Sequence, residues 1–194
     1  LDDDCTSDIP QCIALELTNG NNWFILDDPD VYDYDFNDVI TLPNGNIMFV
    51  GWLEGQLKLG ELTTSSHSTF TSSITIYDKD ILIGIISPDG EWLKLVTAGG
   101  PGSDYALSVA EEIDGKITVA GVYGDDGGGW LTFDSNIGLS LSNYATGRNG
   151  FLASMDSSTF EWTRAISVGG ELDDAVRDVV ITEDGVYVVG DYAG

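Results

Sequence analysis

The stretch Asp104-Tyr105-Ala106-Leu107-Ser108-Val109, followed by Asp114-Gly115-Lys116-Ile117-Thr118-Val119-Ala120-Gly121, decides the fold. Two short β-rich runs flank an Asp-Gly pair. This is the strongest local hairpin signal, because glycine supplies the positive φ of a tight turn. Seventy positions on stand Asp174-Ala175-Val176-Arg177-Asp178-Val179, then Asp184-Gly185 and Val186-Tyr187-Val188-Val189-Gly190. Seventy positions back stand Val39, Asn44-Gly45 and Asn46-Ile47-Met48-Phe49-Val50-Gly51. The same offset matches Trp92 with Trp162, Gly99-Gly100 with Gly169-Gly170, Leu82 with Leu152 and Gly90 with Gly20, while Trp23 lies one residue out of register with Trp92.

A second hairpin follows the first in each repeat. Phe151 to Met155 and Phe160 to Ile166 form it; its counterparts are Ile81 to Ile86 with Trp92 to Val96, turning at Pro88-Asp89-Gly90, and Ile13 to Leu17 with Trp23 to Leu26, turning at Asn19-Gly20. No convincing helical period is present. Four antiparallel strands, a to d, recurring at a fixed interval predict an all-β chain of tandem four-stranded blades of about 70 residues, propeller-like and incomplete within one chain. The expected units are 1–32, an N-terminal segment and half blade (c, d); 33–102, a blade with a Ser/Thr-rich insertion; 103–172, a blade with a Gly-rich insertion; and 173–194, a half blade (a, b).

Whole blades and halves sum to three, fewer than the four a propeller usually needs. A terminal a–b pair also leaves a raw sheet edge. Three outcomes fit: a piece of a longer propeller, a closed ring of subunits, or an open fibre. Complementary halves favour completion between molecules, by strand addition to another copy of the chain.

Composition limits the function classes. Asp and Glu number 33 against 7 Lys and Arg, a formal net charge of -26. Such a chain lacks the cations that displace counterions from nucleic acid or attract anionic lipid. With 42% hydrophobic and 10% aromatic residues it can collapse around a core. The longest apolar stretch, Ile81 to Ile86, is far short of a membrane span, so membrane insertion is not expected. Cys5 and Cys12 are the only cysteines; an even count and a short loop favour a disulfide and an oxidising, extracellular setting. The opening Leu1-Asp2-Asp3-Asp4 has no leader pattern, which reads as a signal peptide already removed.

At Gly99-Gly100-Pro101-Gly102-Ser103-Asp104-Tyr105 through Gly121, again from Gly169, and at Asn149-Gly150-Phe151-Leu152-Ala153, the chain resembles the bacterial and archaeal extracellular β-propeller repeat family of the SBBP type. The resemblance covers nearly the whole chain from Ile13. It implies a secreted or surface-attached protein built of blades, and no known catalytic role. The long b–c insertions depart from the family's compact pattern.

Candidate sites are few. In the acidic stretch Asp27 to Asp38, the oxygens of Asp33, Asp35, Asn37 and Asp38 are the expected ligands if a cation binds, and hard oxygen donors suit calcium. The spacing lacks the glycine and terminal Glu of an EF-hand, and a solvated loop is the competing reading. Thr63, Thr64, Ser65, Ser66, Ser68, Thr69, Thr71, Ser72 and Ser73 could carry O-linked sugars or form a polar β-extension. Trp23, Trp92 and Trp162 read as core, whereas Trp52 and Trp130 fall outside that repeat position and are the candidates to face a carbohydrate. His67, the one histidine, lies in the Ser/Thr-rich run, which promises no packed carboxylate to orient it. With 33 acids, paired carboxylates carry no signal for glycoside hydrolysis.

The sequence therefore predicts a non-enzymatic, secreted or cell-surface structural or adhesive β-repeat protein that assembles with itself. The alternative is a carbohydrate-binding or calcium-stabilised recognition module, and the third reading is a propeller-type carbohydrate-active enzyme.

Overall fold

The computed structural model describes residues 12–17, 20–25, 31–71, 74–112, 114–125, 129–134, 138–142 and 147–193. Cys5 lies outside the described residues, as do Ser72 and Ser73, so the disulfide expected between Cys5 and Cys12 falls there too. The described chain is all β, with every sheet antiparallel.

Two four-stranded sheets form its centre. The first runs β3 (Val31–Thr41), β4 (Ile47–Leu59), β8 (Lys79–Ile86), β9 (Trp92–Ala98); the second runs β10 (Ser103–Glu111), β11 (Lys116–Asp125), β14 (Asn149–Asp156), β15 (Trp162–Val168). Each is an a-b-c-d meander. Two two-stranded sheets flank them in sequence, β1 (Cys12–Leu17) with β2 (Gly20–Ile25) and β16 (Ala175–Thr182) with β17 (Gly185–Asp191). The b–c insertions are also β. β5 (Leu62–Ser65) pairs with the outer end of β4, β6 (Ser68–Thr71) pairs with β7 (Ile74–Tyr77), and β12 (Trp130–Asp134) pairs with β13 (Leu139–Ser142).

The repeat has a backbone cause. Each a strand carries a bulge at the same place: between Phe36 and Asp38, between Ala106 and Ser108, and between Val176 and Asp178. Opposite stand Gly51, Gly121 and Gly190. A Cβ there would meet a carbonyl oxygen of the a strand at 1.8 Å (Asp35), 1.9 Å (Tyr105) and 1.9 Å (Ala175). No side chain fits, so the strand-ending glycine of the motif is dictated by the bulge.

The bulge re-aims one side chain, and side chains a full repeat apart then meet. The Asp38 carboxylate accepts from the Val109 N–H at 2.9 Å and lies 3.1 Å from Ser108 Oγ. Ser108 Oγ lies 2.8 Å from Asp178 Oδ1, so its single proton serves two carboxylates, each from a neighbouring sheet. Asn37 Nδ2 donates to the Ala106 carbonyl at 2.8 Å in the same seam.

The sheets stack face to face through apolar side chains. Register places Met48, Val50, Ile83 and Ile85 on one face of the first sheet, and Ile117, Val119, Phe151, Ala153 and Met155 on one face of the second. All belong to one buried cluster, which also takes in Leu131, Phe133 and Leu141 of the β12–β13 hairpin. The Gly-rich insertion thus folds back and roofs the joint. A smaller cluster of Ala120, Val176 and Val179 joins the second sheet to β16–β17.

Two sequence expectations are corrected here. Leu82 and Leu152 are not equivalent: Val50 pairs with Ile83 and Ala120 with Leu152, so the c strand runs at an offset of 69. Leu82 accordingly packs with Tyr34 and Leu53 on the other face of the first sheet. One residue of insertion length flips the face of every side chain on a strand. Trp23 likewise sits opposite Ala14 in mid-hairpin, whereas Trp92 and Trp162 stand opposite Ile86 and Met155 next to the turn; the hairpin there closes with Leu17 opposite Gly20.

Candidate functional site

The features that point outward lie on β16–β17 and on the sheet beneath it. β17 is a b strand, yet its only ladder partner among the described residues is β16. The b strands of the whole sheets are paired on both sides. The consequence appears in burial. Ile117 and Val119 of β11 are fully buried, while their counterparts Val186 and Val188 are 48% and 45% exposed. Tyr187, Val189 and Tyr192 are more exposed still. An apolar strand with an open row of backbone donors and acceptors is a template for pairing with a further strand.

Below β17 the second sheet is covered only in part. β16 packs on its a and b strands and on the Gly150–Leu152 end of its c strand, while the far ends of its c and d strands, toward their turn, stay open. There a groove of about 500 Å³ opens, lined by Lys116, Leu152, Ser154, Arg164, Ile166 and Val186, among others. On the first sheet the residues at the same register positions, Ile83 and Ile85, are fully buried under the second.

A second site lies inside the joint between the whole sheets. The Asp104 carboxylate is fully buried and accepts the Gly124 N–H at 3.0 Å. Asp80 is 4% exposed, and its Oδ2 accepts the His67 N–H at 2.6 Å. Asp104 Oδ2 and Asp80 Oδ1 are buried with no hydrogen-bond partner. Both acids sit against one glycine pair: a Cβ on Gly99 would fall 2.0 Å from Asp80 Cγ, and the Gly100 amide favours the charged form of Asp104. Burial pushes Asp104 up to about 8, and the Asp80 charge pushes the same way, against the Gly124 bond and the Gly100 amide. Burial likewise pushes Asp80 up to about 7, against the bond from His67. Near neutrality Asp104 holds its proton and Asp80 holds one about half the time, which lowers the cost of placing bare charges in an apolar joint. Asp174, one repeat on from Asp104, makes the same clamp with both oxygens in use: it accepts from Gly170 N–H at 2.5 Å and Ala193 N–H at 2.9 Å.

The residues expected to hold calcium are dispersed in role. Asn37 and Asp38 are spent on the seam between sheets, Asp33 is exposed, and Asp35 lies half-buried opposite Trp52. Among the described residues no group of three or more His, Cys, Asp or Glu is placed to hold a metal ion.

The Ser/Thr run is a β-extension in β5 and β6. Thr63, Ser65 and Ser68 are exposed, and the Thr64 hydroxyl lies 3.3 Å from that of Thr97. Ser66 is buried, with its Oγ accepting the Gly55 N–H at 3.0 Å, so that hydroxyl is closed to a sugar. Thr69 and Thr71 lie within β6.

The two tryptophans differ. Trp52 is already covered, edge-to-face with Tyr105 at 6.1 Å and with the Lys79 ammonium 3.9 Å from its ring centroid. Trp130 on β12 is 51% exposed. His67, contrary to the sequence expectation, does have an orienting carboxylate: its Nδ1 lies 2.9 Å from Asp78 Oδ2. Strand pairing across the insertion brings the two together, which spacing alone does not reveal. The neighbouring Ser66 hydroxyl is engaged with Gly55 N–H and the His67 carbonyl, so it does not complete a nucleophilic triad.

No protein-family model matches the chain, and no curated protein matches it.

Proposed function

We propose that this is a secreted or cell-surface structural or adhesive protein whose sheets are propeller-like blades, and that it assembles by strand completion between copies. The observation that carries the reading is β17, an exposed apolar strand whose only ladder partner among the described residues is β16, and the sequence repeat supports assigning the N-terminal hairpin β1–β2 the complementary c–d role. Adding β1 of another copy to β17 would give the third sheet the a-b-c-d order of the first two. Backbone bonds would supply affinity, and the buried apolar face would add to it. The strongly acidic composition and the two closely spaced cysteines support an extracellular setting, and the sequence resemblance to extracellular propeller repeats supports the blade reading.

The test is the mass of the chain as a function of concentration, by sedimentation velocity and light scattering, with electron microscopy to separate rings from fibres. Assembly should rise with concentration and fall at least tenfold on Tyr187→Lys with Val189→Lys, two exposed positions on β17. A wild type that stays monomeric at all concentrations would overturn the reading. A second reading, carbohydrate recognition, is favoured by the exposed ring of Trp130. It requires glycan binding that disappears in Trp130→Ala.

A further inference from the structure

The open groove on the second sheet has a filled counterpart inside the same molecule. On the first sheet, the matching c–d surface shares the main buried cluster with side chains of β14 and β15, the c–d hairpin of the next sheet, and with the β12–β13 insertion. That joint ends in a polar contact. Lys94, on the d strand of the first sheet, donates to the Thr159 carbonyl at 2.8 Å and stands 5.6 Å from the Phe160 ring centroid. Thr159 and Phe160 belong to the c–d turn of the next sheet. A cation on one d strand therefore seats the turn of the following hairpin.

Register carries this arrangement one repeat further. Lys94 pairs with Ile85 and Arg164 with Ser154, so Arg164 holds the position of Lys94 on the second sheet. Arg164 is exposed at the groove, beside Ile166 and Leu152. The groove thus sets three apolar side chains, Leu152, Ile166 and Val186, beside the hydrogen-bonded Thr118, Ser154 and Glu112, with Arg164 at the turn position. A small anionic ligand would account for Arg164 but not for the Glu112 carboxyl in the same lining or for the apolar side chains.

We infer that the groove over β14–β15 is the seat of the β1–β2 hairpin of a second copy, with the 17–20 turn of that hairpin placed on Arg164 as the Thr159–Phe160 turn is placed on Lys94. The sequence of β1 offers Ile13, Leu15 and Leu17 in alternation, enough to meet Leu152, Ile166 and Val186. This inference rests on the strand-completion reading. It adds that affinity and orientation come from a face-to-face contact on the second sheet, and not from the β17 edge alone.

The experiment compares wild type, Arg164→Glu, Arg164→Lys and Ile166→Asp by sedimentation velocity, with hydroxyl-radical footprinting at low and high concentration. Positions 164 and 166 are exposed, so circular dichroism should show all variants folded. Arg164→Glu and Ile166→Asp should each weaken association at least tenfold, and Arg164→Lys should restore it. On assembly Ile166 and Val186 should lose radical reactivity, while Ile76, exposed on the insertion, should keep it. If the wild type assembles but the groove variants assemble equally well, or if Ile166 stays reactive, the groove inference falls and edge pairing stands. If the wild type never associates, both fall.

Discussion

Replacing Asp104 by Asn should change how stability depends on pH, in a direction fixed by where the carboxyl sits. In the fold Asp104 titrates at about 8, against 3.8 for an ordinary aspartate. The folded state therefore holds a proton that the unfolded chain releases near pH 4. Stability from this group is fully present below about pH 4 and is lost as pH rises toward 8. From pH 5 to pH 8 the difference spans three units, worth about 4 kcal/mol at 1.36 kcal/mol per unit. Asn keeps the carbonyl that accepts the Gly124 N–H and carries no ionisable proton, so it resembles the protonated acid at every pH. The variant should match wild type within about 1 kcal/mol at pH 4 and exceed it by several kcal/mol at pH 9. In melting temperature that gain is on the order of 10 °C for a chain of this size. Urea titrations of both proteins at pH 5, 7 and 9 give the measurement. Taking the difference between the proteins removes the general repulsion among 33 acids, which varies with pH in both alike. A stability difference that does not change with pH, or that favours wild type at pH 9, would refute the placement of Asp104 as a buried proton carrier.

Other outcomes follow from the same geometry. Gly121→Ala should cost about 3 kcal/mol or more, because its Cβ would lie 1.9 Å from the Tyr105 carbonyl oxygen and the bulge must open; Gly129→Ala, in open space, should be close to neutral, and chemical denaturation compares the two. Ser108→Ala removes the hydroxyl between Asp38 and Asp178 and should destabilise by about 1–3 kcal/mol, read from the urea midpoint at pH 7. Lys94→Met should lower thermal stability by about 1 kcal/mol through loss of the Thr159 bond and the Phe160 contact, with calorimetry as the readout.

Much of the fold was legible in the sequence, for reasons the structure makes concrete. The glycines ending each b strand recur because the bulge opposite leaves no room for a Cβ, and the hairpins recur because Gly45 and Gly115 adopt positive φ in their turns. Strand pairing within a repeat is local, so turn chemistry and alternation reveal it. What joins repeats is not local. Asp104 and Asp174 were visible as repeating residues, but their bonds to the Gly124 and Ala193 N–H groups depend on chain segments some 20 residues away. The c-strand register escaped notice because insertions of unequal length shift it by one, and composition carries no record of that shift. Nor did the Ser/Thr run disclose that Asp78 would come alongside His67, since β6–β7 pairing sets that distance. Asn37 and Asp38 looked like metal ligands in an acidic stretch; the bulge between Phe36 and Asp38 turns them into the neighbouring sheet instead.

The two surfaces that meet in the main joint are chemically unlike: aliphatic on the first sheet, with Met48, Val50, Ile83 and Ile85, and aromatic on the other side, with Phe151 and Trp162 of the second sheet and Phe133 of its insertion. A contact between unlike partners has a direction, and any larger body that reuses it inherits a head and a tail. Two copies related by a twofold axis could not satisfy it, because each would present the same surface to the other. If the proposed assembly reuses this joint, its growth is vectorial, with two chemically distinct ends.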